Sequence, residues 1–188
     1  VTDLAAYFDD EITAMPNLVT VGAANTLTTV AGIPFYQGDT GSIYTHDVSG
    51  TDSTATSNTA YGITAMDAIT TGDNNTAMGF DAMGAMTSGL AGAAFGSGAL
   101  KSNTEASFNT AVGYEAMALT TTGGSNTALG KGALYANTTG TRNLAIGFGA
   151  YDASDTENDN IAIGYDAMTT NTAGGTKNIA LGNYALDA

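Results

Sequence analysis

The segment Asn109-Thr-Ala-Val-Gly-Tyr-Glu-Ala-Met117 returns 17 residues later as Asn126-Thr-Ala-Leu-Gly-Lys-Gly-Ala-Leu134. Eight such units follow one another, and their starts lie 17 residues apart except for the last step, which is 18. The units start at Asn58, Asn75, Gly92, Asn109, Asn126, Asn143, Asn160 and Asn178. A fixed period of this length is typical of proteins that stack one structural unit on the next.

We number each unit from its Asn, which is position 1. Ala at position 3, Gly at position 5 and Ala at position 8 are almost invariant. In the clearest units these residues are Asn109, Ala111, Gly113, Ala116; Asn126, Ala128, Gly130, Ala133; and Asn160, Ala162, Gly164, Ala167. The constant Gly predicts a bend where no Cβ fits, or a close approach of another backbone. The Asn has two interpretations: a ladder of stacked side chains, or tolerance of a turn conformation.

Two further positions carry bulky apolar residues, and we predict that both anchor the core. Position 4 holds Tyr61, Met78, Phe95, Val112, Leu129, Ile146, Ile163 and Leu181, and position 9 holds Met66, Met83, Leu100, Met117, Leu134, Tyr151, Met168 and Leu186. In the later units position 2 is apolar as well, which gives the period-two alternation of a short strand. The rest of each unit is polar and Gly-rich and predicts turns.

A 17-residue unit can supply two strands of about four to five residues and two turns, which is one coil of a solenoid. The sequence therefore predicts an all-β fold, a parallel β-solenoid or β-roll over residues 58–188. Its coils carry more apolar surface than a narrow interior holds, so we expect copies of the chain to associate, three around a common axis.

Residues 1–57 form a separate N-terminal region in this interpretation. Thr2 or Asp3 is expected to cap a short helix that ends at Pro16. Short strands are expected between residues 18 and 45. We expect this region to cap the solenoid and to attach it to a neighbouring protein.

The charge balance excludes several classes of partner. The formal net charge is −14, with only Lys101, Lys131, Arg142 and Lys177 as strong cations. Nucleic acid is disfavoured because phosphate contacts need clustered cations. Membrane insertion is disfavoured because no apolar run approaches the roughly 20 residues that a spanning helix needs. Absence of Cys excludes disulfides and thiolate metal sites.

Catalytic and metal-binding groups are sparse. His46 is the only histidine, and no nucleophile elbow accompanies it. Four acidic residues of one polar turn are the candidates for Ca²⁺ binding or for paired acid–base carboxylates: Asp152, Asp155, Glu157 and Asp159. Their spacing matches no EF-hand loop, and solvated turn carboxylates are the simpler interpretation. We expect no cofactor and no enzymatic activity.

Position 6, after the constant Gly, holds Tyr114, Phe148 and Tyr165 in three units and Lys131 in another. This variety predicts a place near the surface. We expect these aromatic residues either to contact a ligand or to pack between subunits.

Two known families share these motifs. Asn160-Ile-Ala-Ile-Gly164 and Asn178-Ile-Ala-Leu-Gly182 resemble the shorter repeat of trimeric autotransporter adhesin heads, and the units starting at Asn109 and Asn126 are similar to repeats of bacteriophage tail fibres. The resemblance covers residues 58–188 and implies a left-handed, homotrimeric β-roll in a fibre that presents a receptor-binding surface to a bacterium. The adhesin unit is shorter, and no anchor, coiled-coil stalk or chaperone domain is visible here.

The function that we predict is therefore structural: a segment of a phage tail fibre, located in the virion, that supports attachment to a bacterial receptor such as a glycan. One alternative is a bacterial surface adhesin or a subunit of an extracellular filament. A second alternative is a glycan-degrading tailspike.

Overall fold

A computed structural model describes the repeats over residues 54–153, 155–169 and 175–187, and the backbone of five short strands before them. These strands are β1 (Val19–Val21), β2 (Leu27–Val30), β3 (Ile33–Pro34), β4 (Tyr36–Gln37) and β5 (Ile43–Tyr44). The described residues form strands and turns and contain no helix. The helix predicted before Pro16 lies outside the described residues, as does His46.

Each repeat contributes one strand of three residues. The strands are β6 (Thr59–Tyr61), β7 (Thr76–Met78), β8 (Ala93–Phe95), β9 (Thr110–Val112), β10 (Thr127–Leu129), β11 (Leu144–Ile146), β12 (Ile161–Ile163) and β13 (Ile179–Leu181). Neighbouring strands pair in parallel, and equivalent positions stand opposite each other, for example Ala128 opposite Ala145. The predicted parallel β-solenoid with a 17-residue repeat is confirmed.

The 18-residue step does not disturb this register. Ile161 stands opposite Ile179, so the extra residue is absorbed outside the strands. Asn160 Nδ2 donates to the carbonyl of Gly175, 15 residues on, whereas Asn143 Nδ2 reaches a carbonyl 14 residues on. The insertion therefore falls before Gly175, in the turn region, as predicted.

The prediction of two strands in each coil is wrong, because the rest of the coil consists of turns. Positions 5, 7 and 9 have positive φ in every described coil, and so does the residue that directly precedes the start of the next coil; in one coil these residues are Gly113, Glu115, Met117 and Ser125. Such residues reverse the direction of the chain and end a strand. No second strand forms among the described residues of any coil.

The interior consists of small and bulky residues in fixed rows. The Ala residues at position 3 are buried, as are those at position 8 from Ala65 to Ala167 and the position 9 residues from Met66 to Met168. Position 4, however, is not in the core: Tyr61 is 50% exposed and Leu129 is 47% exposed. Successive strand residues point to opposite sides, so an inward Ala at position 3 forces its neighbour outward. Our assignment of position 4 to the core is therefore wrong.

The constant Gly at position 5 is required by a close backbone contact. Gly130 has φ +143°, and a Cβ there would lie 2.2 Å from the carbonyl oxygen of Gly147 in the next coil. Gly113 and Gly164 face the same contact, at 2.3 and 2.4 Å. The predicted bend without room for a Cβ and the predicted close approach of another backbone are both confirmed at position 5.

The Asn at position 1 forms a ladder, although its bonds run from side chain to backbone. Asn126 Oδ1 accepts from the backbone N–H of Asn143 at 2.8 Å, and Asn126 Nδ2 donates to the carbonyl of Gly140 at 2.8 Å. Asn109 makes the equivalent bonds to Asn126 and Gly123. These side chains are fully buried. Each Asn therefore bonds its own coil to the next one.

The N-terminal strands extend the structure at one end. β1, β2 and β3 form an antiparallel sheet, which matches the strands expected between residues 18 and 45. β4 pairs antiparallel with β5, and β5 pairs in parallel with β6. β5 therefore continues the solenoid sheet before the first clear repeat.

Candidate interaction surface

The outer side of the solenoid sheet is a long apolar surface. We call it the sheet face and define it as the residues at positions 2, 4 and 6. Phe80 is 59% exposed, Tyr114 is 51% exposed and Phe148 is 45% exposed. Monomeric soluble proteins rarely expose a contiguous apolar patch that follows a whole face, so such a surface indicates a binding site.

Strand geometry explains why these side chains gather on one side. In each strand the middle residue, Ala, is buried and the two outer residues are at least partly exposed, as in Thr127-Ala128-Leu129. Parallel stacking in register then places every position 4 residue beside its equivalent in the next coil. The repeat converts one outward apolar residue per unit into a continuous row.

The sheet face is almost free of charge. Every Asp and Glu of residues 58–188 occupies another position of the unit, and Lys131 is the single charged residue on the face. In a chain with a formal net charge of −14 this is an unequal distribution. A surface without acidic residues is the place where two such chains approach with the least repulsion.

The aromatic residues predicted at position 6 form a row with Lys131. The Phe148 and Tyr165 rings stack with centroids 5.2 Å apart. Lys131 Nζ lies 5.1 Å from the Phe148 centroid and 5.9 Å from that of Tyr114, so the cation contacts both rings. The nearby carboxylate of Asp166 raises the pKa of Tyr165. The prediction that position 6 lies near the surface is confirmed.

The four acidic residues considered for Ca²⁺ have separate partners. Asp159 accepts two hydrogen bonds from the Arg142 guanidinium, at 2.6 and 2.9 Å, and this contact lowers its pKa. Asp155 accepts a hydrogen bond from the Thr138 hydroxyl. Glu157 is buried and accepts from the backbone N–H groups of Asp155 and Thr156.

Asp152 lies in a different environment, where partial burial raises the pKa of its carboxyl group and Asp166 adds to the effect. Within residues 54–153, 155–169 and 175–187, no three His, Cys, Asp or Glu side chains are grouped as they would be to hold a metal ion. What the turn offers instead is a set of hydrogen bonds that connect adjacent coils.

Sequence reasoning missed a polar row inside the solenoid. In the first five coils position 12 is fully buried, and its residue changes from Ile69 and Met86 to Asn103, Thr120 and Asn137. Asn103 Nδ2 donates to the carbonyl of Ala106 at 3.1 Å. In other coils the Asn side chain at position 1 donates to the carbonyl at position 15. Gly92 has no side chain to make this bond, and Asn103 makes it instead. The simultaneous loss of Asn at position 1 and gain of Asn at position 12 was the available signal.

Comparison with protein-family models, curated proteins and solved structures gives no match for this chain. In the part of the chain that the structure describes, no helix has the length and apolar character to cross a bilayer.

Proposed function

We propose that this chain is a structural segment of a phage tail fibre, a stiff rod in the virion that supports attachment to a bacterial receptor such as a surface glycan. The observation that carries the proposal is the unbroken parallel stack from β6 to β13. A stack of this kind keeps whatever it carries at a fixed distance and orientation, which is the mechanical requirement of a fibre.

Hydrogen bonds between coils support the idea of a stiff rod. Beside the strand pairs and the Asn ladder, a row of Thr at position 13 links the coils. Thr70 Oγ1 donates to the carbonyl of Thr87, and Thr87 Oγ1 donates to that of Thr104, each at 3.0 Å. Bending the rod would stretch three rows of bonds at once.

The proposal includes a homotrimer, with residues 1–57 as the attachment to neighbouring fibre or virion proteins. The apolar, nearly uncharged sheet face supports association, because its exposed side chains would gain by burial between copies. No catalytic step belongs to this function.

Immunogold labelling tests the proposal. Antibodies against the purified chain would be applied to virions and to cells of the source, and the control would be serum depleted on the same chain. Labelling along the tail extremities is the expected result. Labelling of the bacterial envelope or of cell-associated filaments would favour the adhesin alternative, and would overturn the fibre proposal.

A further inference from the structure

The row of side chains at position 6 is interrupted by one short residue. From the first coil to the seventh the row consists of Ile63, Phe80, Ser97, Tyr114, Lys131, Phe148 and Tyr165. Ser97 stands between two aromatic residues, Phe80 and Tyr114, which are both more than half exposed. We call the space over Ser97, between these two rings, the ring slot.

The width of the ring slot follows from the stacking of the coils. The strands that precede Phe80, Ser97 and Tyr114 pair in register, so the two rings belong to coils that are two steps apart. Two steps correspond to about 10 Å at the usual strand spacing. A ring inserted halfway would lie about 5 Å from each aromatic ring, which is the contact distance of stacked rings.

Rings in this row turn their faces along the rod. Phe148 and Tyr165, in adjacent coils, stack with an angle of 8° between their planes. Lys131 Nζ lies over the face of Tyr114 on the side away from Ser97. Because the coils repeat in register, Phe80 and Tyr114 are expected to face each other across the ring slot.

The next gap of the same width shows which chemistry such a space accepts. Lys131 stands between Tyr114 and Phe148, and its ammonium nitrogen lies 5.9 Å from one ring centroid and 5.1 Å from the other. A cation is attracted to the negative face of an aromatic ring. The hydroxyl group of Ser97 is uncharged and too short to fill the ring slot in the same way.

Charged side chains at position 7 lie beside the ring slot. Asp81 directly follows Phe80, and Glu115 directly follows Tyr114. The Glu115 side chain lies over Gly98, the neighbour of Ser97, because a Cβ at Gly98 would be 3.2 Å from Glu115 Cγ.

One cation of the chain accompanies these carboxylates. Lys101 Nζ donates to Glu115 Oε1 at 3.0 Å. This bond raises the pKa of Lys101, and the charge of Asp81 adds to the effect. Two carboxylates and one ammonium group leave one negative charge beside the slot, in a chain with a formal net charge of −14. Such surroundings favour a cationic ligand and disfavour an anionic one.

From the interrupted ring row, its width and the surrounding charge we infer that the ring slot binds one ammonium-bearing sugar ring of a glycan. The two C–H faces of the sugar pack against Phe80 and Tyr114, and its ammonium group gains from the rings and the carboxylates together. The inference rests on the proposed function and deepens it, since it names the chemical class of the receptor and the residues that hold it.

The ring slot is compatible with the association of copies through the sheet face. Position 6 lies beyond the bend at position 5 and next to the charged position 7. A ligand can therefore approach from the side that carries Asp81 and Glu115, at the margin of the sheet face.

Titration calorimetry with defined trisaccharides tests the inference. The probes are a trimer of β-1,4-linked glucosamine and the trimer of N-acetylglucosamine with the same linkage, at about pH 6, where the free amines are protonated and the carboxylates ionised. Spermidine, which has amines but no sugar ring, is the third probe. We expect one glucosamine trimer per chain, bound about tenfold or more tightly than either of the other two probes.

Ser97→Lys is the decisive variant, because it copies the arrangement of Lys131 and fills the slot with a cation of the chain itself. Binding of the glucosamine trimer is expected to be lost. Thr122→Lys adds the same charge at an exposed position outside the slot and should bind as the wild type does. Phe80→Leu removes one of the two faces at an exposed residue and should also lose binding.

Several results would overturn the inference. Wild-type binding that persists in Ser97→Lys or in Phe80→Leu would place the ligand elsewhere. Equal affinity for the acetylated trimer would contradict the role of charge, and equal affinity for spermidine would contradict the role of the sugar ring. No binding of the glucosamine trimer to the wild-type chain would contradict the site itself.

The immunogold result is independent of this titration. A chain that labels tail fibres but does not bind the glucosamine trimer would retain the proposed function and lose the inferred site. A chain that binds the trimer but labels the bacterial envelope would keep the site and lose the fibre.

Discussion

Residues with positive φ determine the shape of each coil. Positions 5, 7 and 9 of the described coils adopt such values, as does the residue directly before the start of each following coil, and only position 5 is always Gly. For an L-residue with a Cβ, the left-handed conformation costs roughly 1–2 kcal/mol. The fold accepts this cost because the turns at positions 7 and 9 direct large side chains such as Met117 into the interior.

Two glycines of one coil have positive φ, but only one of them lies against the backbone of the next coil. At Gly130 a Cβ would collide with the Gly147 carbonyl, whereas at Gly132 nothing lies within 4 Å. We predict that Gly130→Ala lowers the free energy of unfolding by more than about 3 kcal/mol, and that Gly132→Ala lowers it by about 1 kcal/mol. Denaturant titration followed by circular dichroism measures both. Equal losses would show that the inter-coil contact at Gly130 is not tight.

Thr64 is a β-branched residue with φ +59°, at position 7, where three of the other coils have Gly98, Gly132 and Gly149. Its hydroxyl group donates a hydrogen bond to the carbonyl of the adjacent residue, Ile63. Thr64→Gly is therefore expected to raise the free energy of unfolding by about 0.5–1 kcal/mol, since the relief of strain exceeds the entropy that Gly adds to the unfolded chain.

The control for this substitution is Thr110→Gly, in a strand, which is expected to lower stability by about 1 kcal/mol. Both values come from the same denaturant titration. If Thr64→Gly were as damaging as Thr110→Gly, the left-handed strain at Thr64 would not be real.

At the scale of the element, each coil is a three-residue strand followed by turns, and the Asn ladder joins it to the next coil. The ladder has one gap, at Gly92, where Asn103 bonds to the carbonyl of Ala106 instead. Position 12 also donates to the position 15 carbonyl in the coil that starts at Asn126, although that coil keeps its ladder Asn. Asn137 Nδ2 donates to the Gly140 carbonyl at 3.2 Å, and the same carbonyl accepts from Asn126.

Because the Gly140 carbonyl accepts two hydrogen bonds, we predict that replacing the ladder Asn by Ala lowers stability less in this coil than in the preceding one. Asn126→Ala leaves the Asn143 N–H without its side-chain acceptor, but Gly140 keeps the bond from Asn137. Asn109→Ala removes the bonds of Asn109 to Asn126 and Gly123. Because a buried unsatisfied group costs about 1–3 kcal/mol, Asn109→Ala should be the more destabilising by about that amount.

Thermal or denaturant unfolding of the two variants under identical conditions measures this difference. A larger loss for Asn126→Ala would mean that the bond from Asn137 does not compensate.

The sequence predicted the period, the all-β solenoid, the strand register and the reason for the constant Gly, because each depends on backbone geometry that repeats exactly. It failed at position 4. Periodicity places Tyr61 and Leu129 on one side of a strand but does not say which side is inside. The Ala at position 3 faces the interior, because the narrow coil has room for a methyl group at that point of the strand. The larger interior space is filled by the side chain of position 9.

At the scale of the whole molecule, the error at position 4 strengthens the expectation of self-association. Apolar residues that were expected in the core lie on the sheet face, where only a partner can cover them. Charge reinforces the point, because the acidic residues of the repeats leave that one face free. What the proposed fibre segment would help to bind depends on surface chemistry that the repeat does not encode, so periodicity could not predict it.

The proposed association of this rod through its sheet face is tested most directly by its molar mass in solution. Light scattering would be recorded for the wild-type chain, for Leu129→Glu on the sheet face and for Thr122→Glu at an exposed position outside it. We predict a fixed multiple of the chain mass for the wild type and for Thr122→Glu, and a single chain for Leu129→Glu, because a buried unpaired carboxylate is strongly unfavourable. A wild-type chain that stays monomeric at every concentration would contradict the claim.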